Sequence, residues 1–194
     1  MTKTILKSFS LTALVVLLQS FDLPTGWGKA GSKPDSYEMG IDKGAGQNGT
    51  NAATVKSIDK TIEGFGTLMQ QCVVGKYLGK RVRMTGFIKS ENVSNWAGFW
   101  FRVDQAGTQK SIALDNMANR PIKGTTDWTK YELVLDVPKN ASLISYGALL
   151  NGTGQIWFDN ITIEIVDNTI PTTAEGKNNK TGTQDEPTNL DFEK

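Results

Sequence analysis

The chain has 194 residues, with 21 Lys and Arg against 20 Asp and Glu and no histidine. That length suits one domain with a substantial core. A net charge of +1 without a basic stripe offers little to a phosphate backbone, so no nucleic acid is expected as a partner. Without histidine, Ser-His-Asp triads and Cys–His pairs are excluded, and the commonest metal ligand is missing. The lone cysteine, Cys72 in "LMQQCVVG", has no internal disulfide partner and reads as a buried, inert thiol.

The chain opens "MTKTILKSFSLTALVVLLQSFD". Lys3 and Lys7 precede a short apolar run, Leu11 to Leu18, well below the roughly 20 residues needed to cross a bilayer. This arrangement predicts a signal peptide over 1–20, with cleavage after Ser20. Phe21 stands where a lipoprotein would carry its lipidated cysteine, so no membrane anchor is expected once the signal is removed. The predicted location is secreted, periplasmic or cell-surface. An exported chain with one cysteine suits a bacterial cell.

From residue 22 to 166, short runs rich in Val, Ile, Thr and aromatics are punctuated by Gly, Asn, Asp and Pro. Strands are predicted at 37–41, 52–58, 66–74, 80–90, 98–104, 110–115, 129–137, 143–150 and 155–166. Alternation assigns Val82, Met84, Gly86 and Ile88 to one face of their strand, Tyr131, Leu133, Leu135 and Val137 to one face of another, and Ile161, Ile163 and Ile165 to one face of the last. Asn151-Gly152, between two apolar runs, predicts a hairpin. No helical period persists after the signal region. The fold class is therefore all-β, a jelly-roll β-sandwich of two antiparallel sheets with about nine strands.

"NWAGFWFRVD" carries the clearest functional pattern. Phe99, Phe101 and Val103 form a wholly apolar face. Trp100, Arg102 and Asp104 form the other, with Trp96 in the preceding loop as a wall. An aromatic beside a charge suits a sugar ring, which stacks by its apolar face and hydrogen-bonds by its hydroxyls. With Ile112 and Leu114 taken as core residues, Asp115 falls on the opposite face, where it can pair with Arg102 or bind a hydroxyl. The candidate ligand-binding residues are Trp96, Trp100, Arg102 and Asp115. The competing expectation is structural: Trp100 packed under a loop, with Arg102 and Asp115 in ion pairs. Asp159 in "WFDN" offers one carboxylate toward calcium, which is thin support for a hard cation needing several oxygens. No catalytic residues, metal site or cofactor are expected.

The segments "LPTGW", "YEMGID", "YLGKRVRMTGFIKSENV", "WAGFWFRVD" and "GALLNGTGQIWFDNITIEIV" resemble a jelly-roll domain of the galactose-binding-like class. They are similar to the carbohydrate-binding modules and accessory domains of bacterial secreted enzymes and regulators. The resemblance implies a non-catalytic binding module for a carbohydrate. The alternative is an accessory domain whose partner is another protein domain, in a fragment of a larger enzyme or regulator. It also implies an opening strand of the type Asn-x-x-Phe-Glu before Gly26-Trp27, which is missing. In family members that hold calcium, that opening Glu and an Asp matching Asp159 contribute to the site.

Residues 167–188 are almost purely polar and predict a linker. "NLDFEK", residues 189–194, then matches the missing opening strand. Two expectations follow: residues 189–194 begin a second module, or they return as this domain's own edge strand. Loop-closure entropy favours the first.

Overall fold

The computed structural model describes residues 21–173, apart from Gln109. The predicted signal peptide and the segment 189–194 lie outside the described residues. In chain order the strands are β1 (Gly28–Gly31), β2 (Tyr37–Asp42), β3 (Ala52–Ser57), β4 (Phe65–Val73), β5 (Lys80–Gln105), β6 (Ser111–Asp115), β7 (Ile122–Val137), β8 (Ala141–Asn151) and β9 (Gln155–Val166). All pair antiparallel.

β5 organises everything else. Its 26 residues join the segments predicted as separate strands at 80–90 and 98–104. Residues 80–88 lie between β7 and β9, while residues 96–105 pair with β8 on one side and residues 101–104 with β6 on the other. Register shifts between Ile88 and Ala97 and a positive φ of 57° at Asn48 and 52° at Asn92 mark the turns and bulges; those within β5 bend it. The result is one continuous nine-stranded sheet in the order β1-β4-β8-β5-β9-β3-β2, with β6 and β7 also on β5. Instead of two separate sheets, a single sheet doubles over along β5. One half carries β2, β3, β9 and β7; the other carries β1, β4, β8 and β6.

The apolar faces of the two halves meet inside. Val82, Met84 and Ile88 from the first stretch of β5, and Phe99, Phe101 and Val103 from the second, are all fully buried, with Leu133 and Leu135 of β7. The Phe99 ring meets Phe158 of β9 edge-on at 6.1 Å, a favoured aromatic geometry. Trp27, before β1, sits edge-on to Tyr146 at 5.8 Å and tilted against Phe158 at 5.8 Å. The alternations predicted for these strands hold.

Two expectations need revision, and one strand was not predicted. Asn151-Gly152 does not close a hairpin, because β8 and β9 each pair with β5 and not with one another; the turn carries the chain between the halves. β1, with the sequence GKAG, lacks strand propensity and exists through pairing with β4. The first residues of the predicted linker are tied down: Arg81 donates to the carbonyls of Asn168 (2.7 Å) and Ile170 (2.6 Å), and the Thr173 N–H donates to the Val134 carbonyl at 2.9 Å. Val134, on the outward face of β7, is thereby fully covered.

Tyr37 locks the turn between β8 and β9. It is 3% exposed, and its hydroxyl donates to the Gly152 carbonyl at 2.8 Å. Burial pushes its pKa up to about 12, against a smaller lowering by the Gly152 hydrogen bond. The unfolded chain releases this proton near pH 10. The stabilisation is therefore complete below about pH 10 and is lost as pH rises toward about 12. Chemical denaturation across that range should show stability falling with pH, more steeply than in Tyr37→Phe.

Candidate functional site

The outward face of β4, β8 and the second stretch of β5 forms a groove of about 470 Å³. Its floor is set by register. One row runs Met69–Gly147–Trp100, and the next runs Gln71–Ser145–Arg102, with Leu114 of β6 beyond. Gly147 is required there: a Cβ would lie 2.3 Å from the Leu68 carbonyl oxygen and 2.9 Å from Met69 Cα. Any side chain would push β4 away from β8 and split the floor.

The groove side chains are fixed by one another. The Trp100 indole N–H donates to Thr67 Oγ1 at 2.8 Å, and that hydroxyl donates onward to the Ala148 carbonyl at 2.8 Å. The half-buried indole is thus pinned by its polar edge. Arg102 holds Asp104 through Nε at 2.7 Å and through its terminal nitrogen at 2.6 Å. Gln71 Nε2 donates to Ser145 Oγ at 3.0 Å. A pre-ordered aromatic, a guanidinium, a carboxamide and hydroxyls therefore line one shallow trough. Among the described residues that line it, Asp104 is the one carboxylate.

The four sequence candidates separate here. Trp100 and Arg102 lie together in the groove. Trp96 belongs to β5, not to a preceding loop, opposite Asn151, and it does not line the groove. Between Trp96 and Trp100 stands Gly98, against which Met117 packs; a Cβ at Gly98 would be 3.1 Å from Met117 Cβ. Asp115 faces the other way. It is opposite the core residue Phe101 and fully buried. Its carboxylate accepts both terminal nitrogens of Arg120, at 3.0 and 2.7 Å, and the Met117 N–H at 2.9 Å. The partner of Arg102 is Asp104. Gln71 and Ser145 also line the groove, and buried Thr67 holds the Trp100 indole; none of the three was singled out from sequence, though the parity of "TLMQQCVV" places Thr67, Met69 and Gln71 on one face.

Asp159 lies on β9 and does not line this groove. Its carboxylate accepts the Asn160 N–H at 2.7 Å and faces the Thr50 hydroxyl at 3.4 Å. Among the described residues, no three His, Cys, Asp or Glu side chains converge as a metal site would require.

No family model matches the chain. It is 44% identical over 169 residues to the "Uncharacterized HTH-type transcriptional regulator YbfP" of Bacillus subtilis, which covers 87% of this chain and 56% of that protein. The chain therefore spans little more than half the length of this relative. Among solved structures, the CBM22-1 xylan-binding domain of Paenibacillus barcinonensis Xyn10C superposes with a TM-score of 0.53 at 16% identity, over 76% of this chain and 90% of that one. The Stig cyclase Fisc from Fischerella sp. TAU superposes with a TM-score of 0.54 at 16% identity, over 75% of this chain and 87% of that one. One fold thus carries both a binding module and a cyclase, and fold alone does not choose between them. The chain has the all-β jelly-roll fold of the carbohydrate-binding modules.

Proposed function

We propose that this domain is a non-catalytic carbohydrate-binding module that takes its ligand in the groove around Trp100. The carrying observation is the groove itself: an indole pinned by Thr67, beside the Gln71–Ser145 and Arg102–Asp104 pairs. Such a trough suits a sugar ring stacked on the indole, with hydroxyls exchanging hydrogen bonds with the flanking polar groups. A shallow site buries little area, so the affinity for short oligosaccharides is modest. We also propose that the chain is exported, in line with its opening segment.

A second reading is favoured by the identity to a regulator: the domain contacts a partner or effector on behalf of a DNA-binding region elsewhere. Its only helices among the described residues are three-residue 3₁₀ turns, so the domain offers no recognition helix of its own.

Titration with plant, algal and peptidoglycan oligosaccharides, followed by tryptophan fluorescence, separates the readings. Under the first, at least one glycan class perturbs the signal, and Trp100→Ala weakens binding by about tenfold or more, as loss of a central aromatic anchor does. Silence across all classes, with Trp100→Ala equally silent, would leave the partner-contacting reading.

A further inference from the structure

The strands that floor the groove carry a second concavity on their other face. Successive side chains of a strand point to opposite faces. Gln71 of β4 and Ser145 of β8 line the groove, while their neighbours Gln70, Cys72 and Tyr146 turn the other way. There, with Trp27, Tyr77 and Ile163, they line a cleft of about 550 Å³. Small-molecule sites span roughly 300–1,000 Å³. Both strand edges beside the cleft are bare among the described residues: β1 reaches only Met69 of β4, and β3 only Phe158 of β9.

The chemistry of this lining differs from that of the groove. Its walls are aromatic and aliphatic, and its side-chain amide and one phenol are spent on protein partners. The Tyr146 hydroxyl donates to Gln70 Oε1, and Gln70 Nε2 donates to the Gly26 carbonyl at 3.3 Å. Lys76 is the one charged residue of the lining. Its ammonium lies 5.1 Å from the centre of the Tyr77 ring, and among the described residues it pairs with no carboxylate. A second donor faces the same space. The Tyr77 hydroxyl, 3.5 Å from the Ile163 carbonyl, shows that Ile163 directs its carbonyl to the bare edge of β9. In an antiparallel strand a residue's N–H and C=O point the same way, so the Ile163 N–H is directed there too.

We propose that this cleft binds a small apolar acid, an aromatic or aliphatic body carrying a single carboxylate or sulfonate. The body packs against Trp27, Tyr146 and Ile163, where burial of apolar area drives binding. The anionic group meets the Lys76 ammonium and the edge N–H, the one place in the cleft where a charge keeps a partner. A second charge on the body would lose its hydration without compensation. A sugar fits poorly, because its many hydroxyls would be buried against apolar walls and a Tyr146–Gln70 pair that is already satisfied. The inference stands apart from the carbohydrate reading, since β4 and β8 hold the two sites on opposite faces.

Two dyes of one shape test this in the full chain: anilinonaphthalene sulfonate, an anion, and its neutral parent phenylnaphthylamine. The sulfonate should bind saturably with enhanced emission. Lys76 is exposed, so its replacement leaves the core intact. Lys76→Glu exchanges an attraction for a repulsion of similar size and should weaken the sulfonate about tenfold, with the neutral dye largely unaffected. Cys72 reports the location, because it lines the cleft and not the groove. Burial raises its pKa, so alkylation by iodoacetamide is run at mildly alkaline pH, where the thiolate is available. The alkylation rate should fall in proportion to the fraction of protein that has bound the sulfonate. Uptake that does not saturate, a Lys76→Glu variant that binds the sulfonate as before, or alkylation indifferent to saturating dye each overturns the assignment. A dimer by sedimentation velocity, with Cys72 shielded in the absence of dye, overturns it as well and gives the cleft to a second copy.

Discussion

Arg120→Ala is expected to destabilise the fold by about 3–5 kcal/mol, the range for stranding one member of a buried ion pair. The Asp115 carboxylate is fully buried, and Arg120 supplies two of its three hydrogen bonds. Of these partners, alanine would leave the carboxylate only the Met117 N–H. The same guanidinium donates to the Glu132 carbonyl at 3.1 Å, so the loop after β6 would also lose its tie to β7. A melting temperature lower by roughly 10 °C or more should accompany the loss. Arg120→Lys should fall between, because an ammonium cannot reproduce the two-pronged contact. Asp115→Asn/Arg120→Ala should recover part of the deficit, since it no longer buries an unpaired charge. Urea unfolding of the four proteins checks the order. An Arg120→Ala variant within about 1 kcal/mol of the parent would mean that the carboxylate finds another partner, contrary to its burial.

This pair also shows where sequence stopped being informative. Strand existence was legible because alternation of apolar and polar residues is local; the last strand, 155–166, was read with the bounds the structure gives. The groove pair Trp100 and Arg102 was legible for the same reason. Asp115 was not. Leu114 looks like a core residue, yet it is 40% exposed, and the acid beside it is the buried one. A one-residue shift in parity exchanges the two faces of a strand, and what decides parity here is pairing with β5, including the shift at Val103/Asp104. The stabilising arginine lies five residues away, past a turn at Met117 with φ 61°, so no strand period connects them.

The long β5 escaped for a related reason. "ENVSNWAG" has the composition of a loop, but each half of β5 is flanked by two strands that supply its hydrogen bonds. Tertiary pairing overrides local preference more readily in strands than in helices. The same is true of β1, whose four residues have almost no side chains to read. Trp96 was misplaced by this error, since its supposed loop is strand. Its separation from the groove depends on Met117 lying against Gly98, a contact between segments that no spacing encodes. The alternation in "ITIEIV" was correct, although Ile165 at its end is 45% exposed.

Phe99→Ala is expected to cost about 3–5 kcal/mol, as for other buried aromatic truncations. Gly86→Ala should cost about 1–3 kcal/mol through overpacking. The glycine is needed for space: a Cβ there would sit 2.7 Å from Phe99 Cζ and 3.1 Å from Ile161 Cγ1. The two substitutions change the same volume in opposite directions, because removing the ring vacates the room the methyl group needs. The double variant should therefore be more stable than the sum of the single effects predicts, by more than the roughly 0.5 kcal/mol scatter of independent sites. The coupling is a direct measure of the architecture. A straight strand would hold positions 86 and 99 about 43 Å apart, where substitutions simply add. They meet only because β5 doubles over and lays its first stretch against its second, which also turns Trp100 and Arg102 outward onto the groove. Strict additivity in urea unfolding would mean that the halves do not face one another, and the groove would lose the scaffold that orients it.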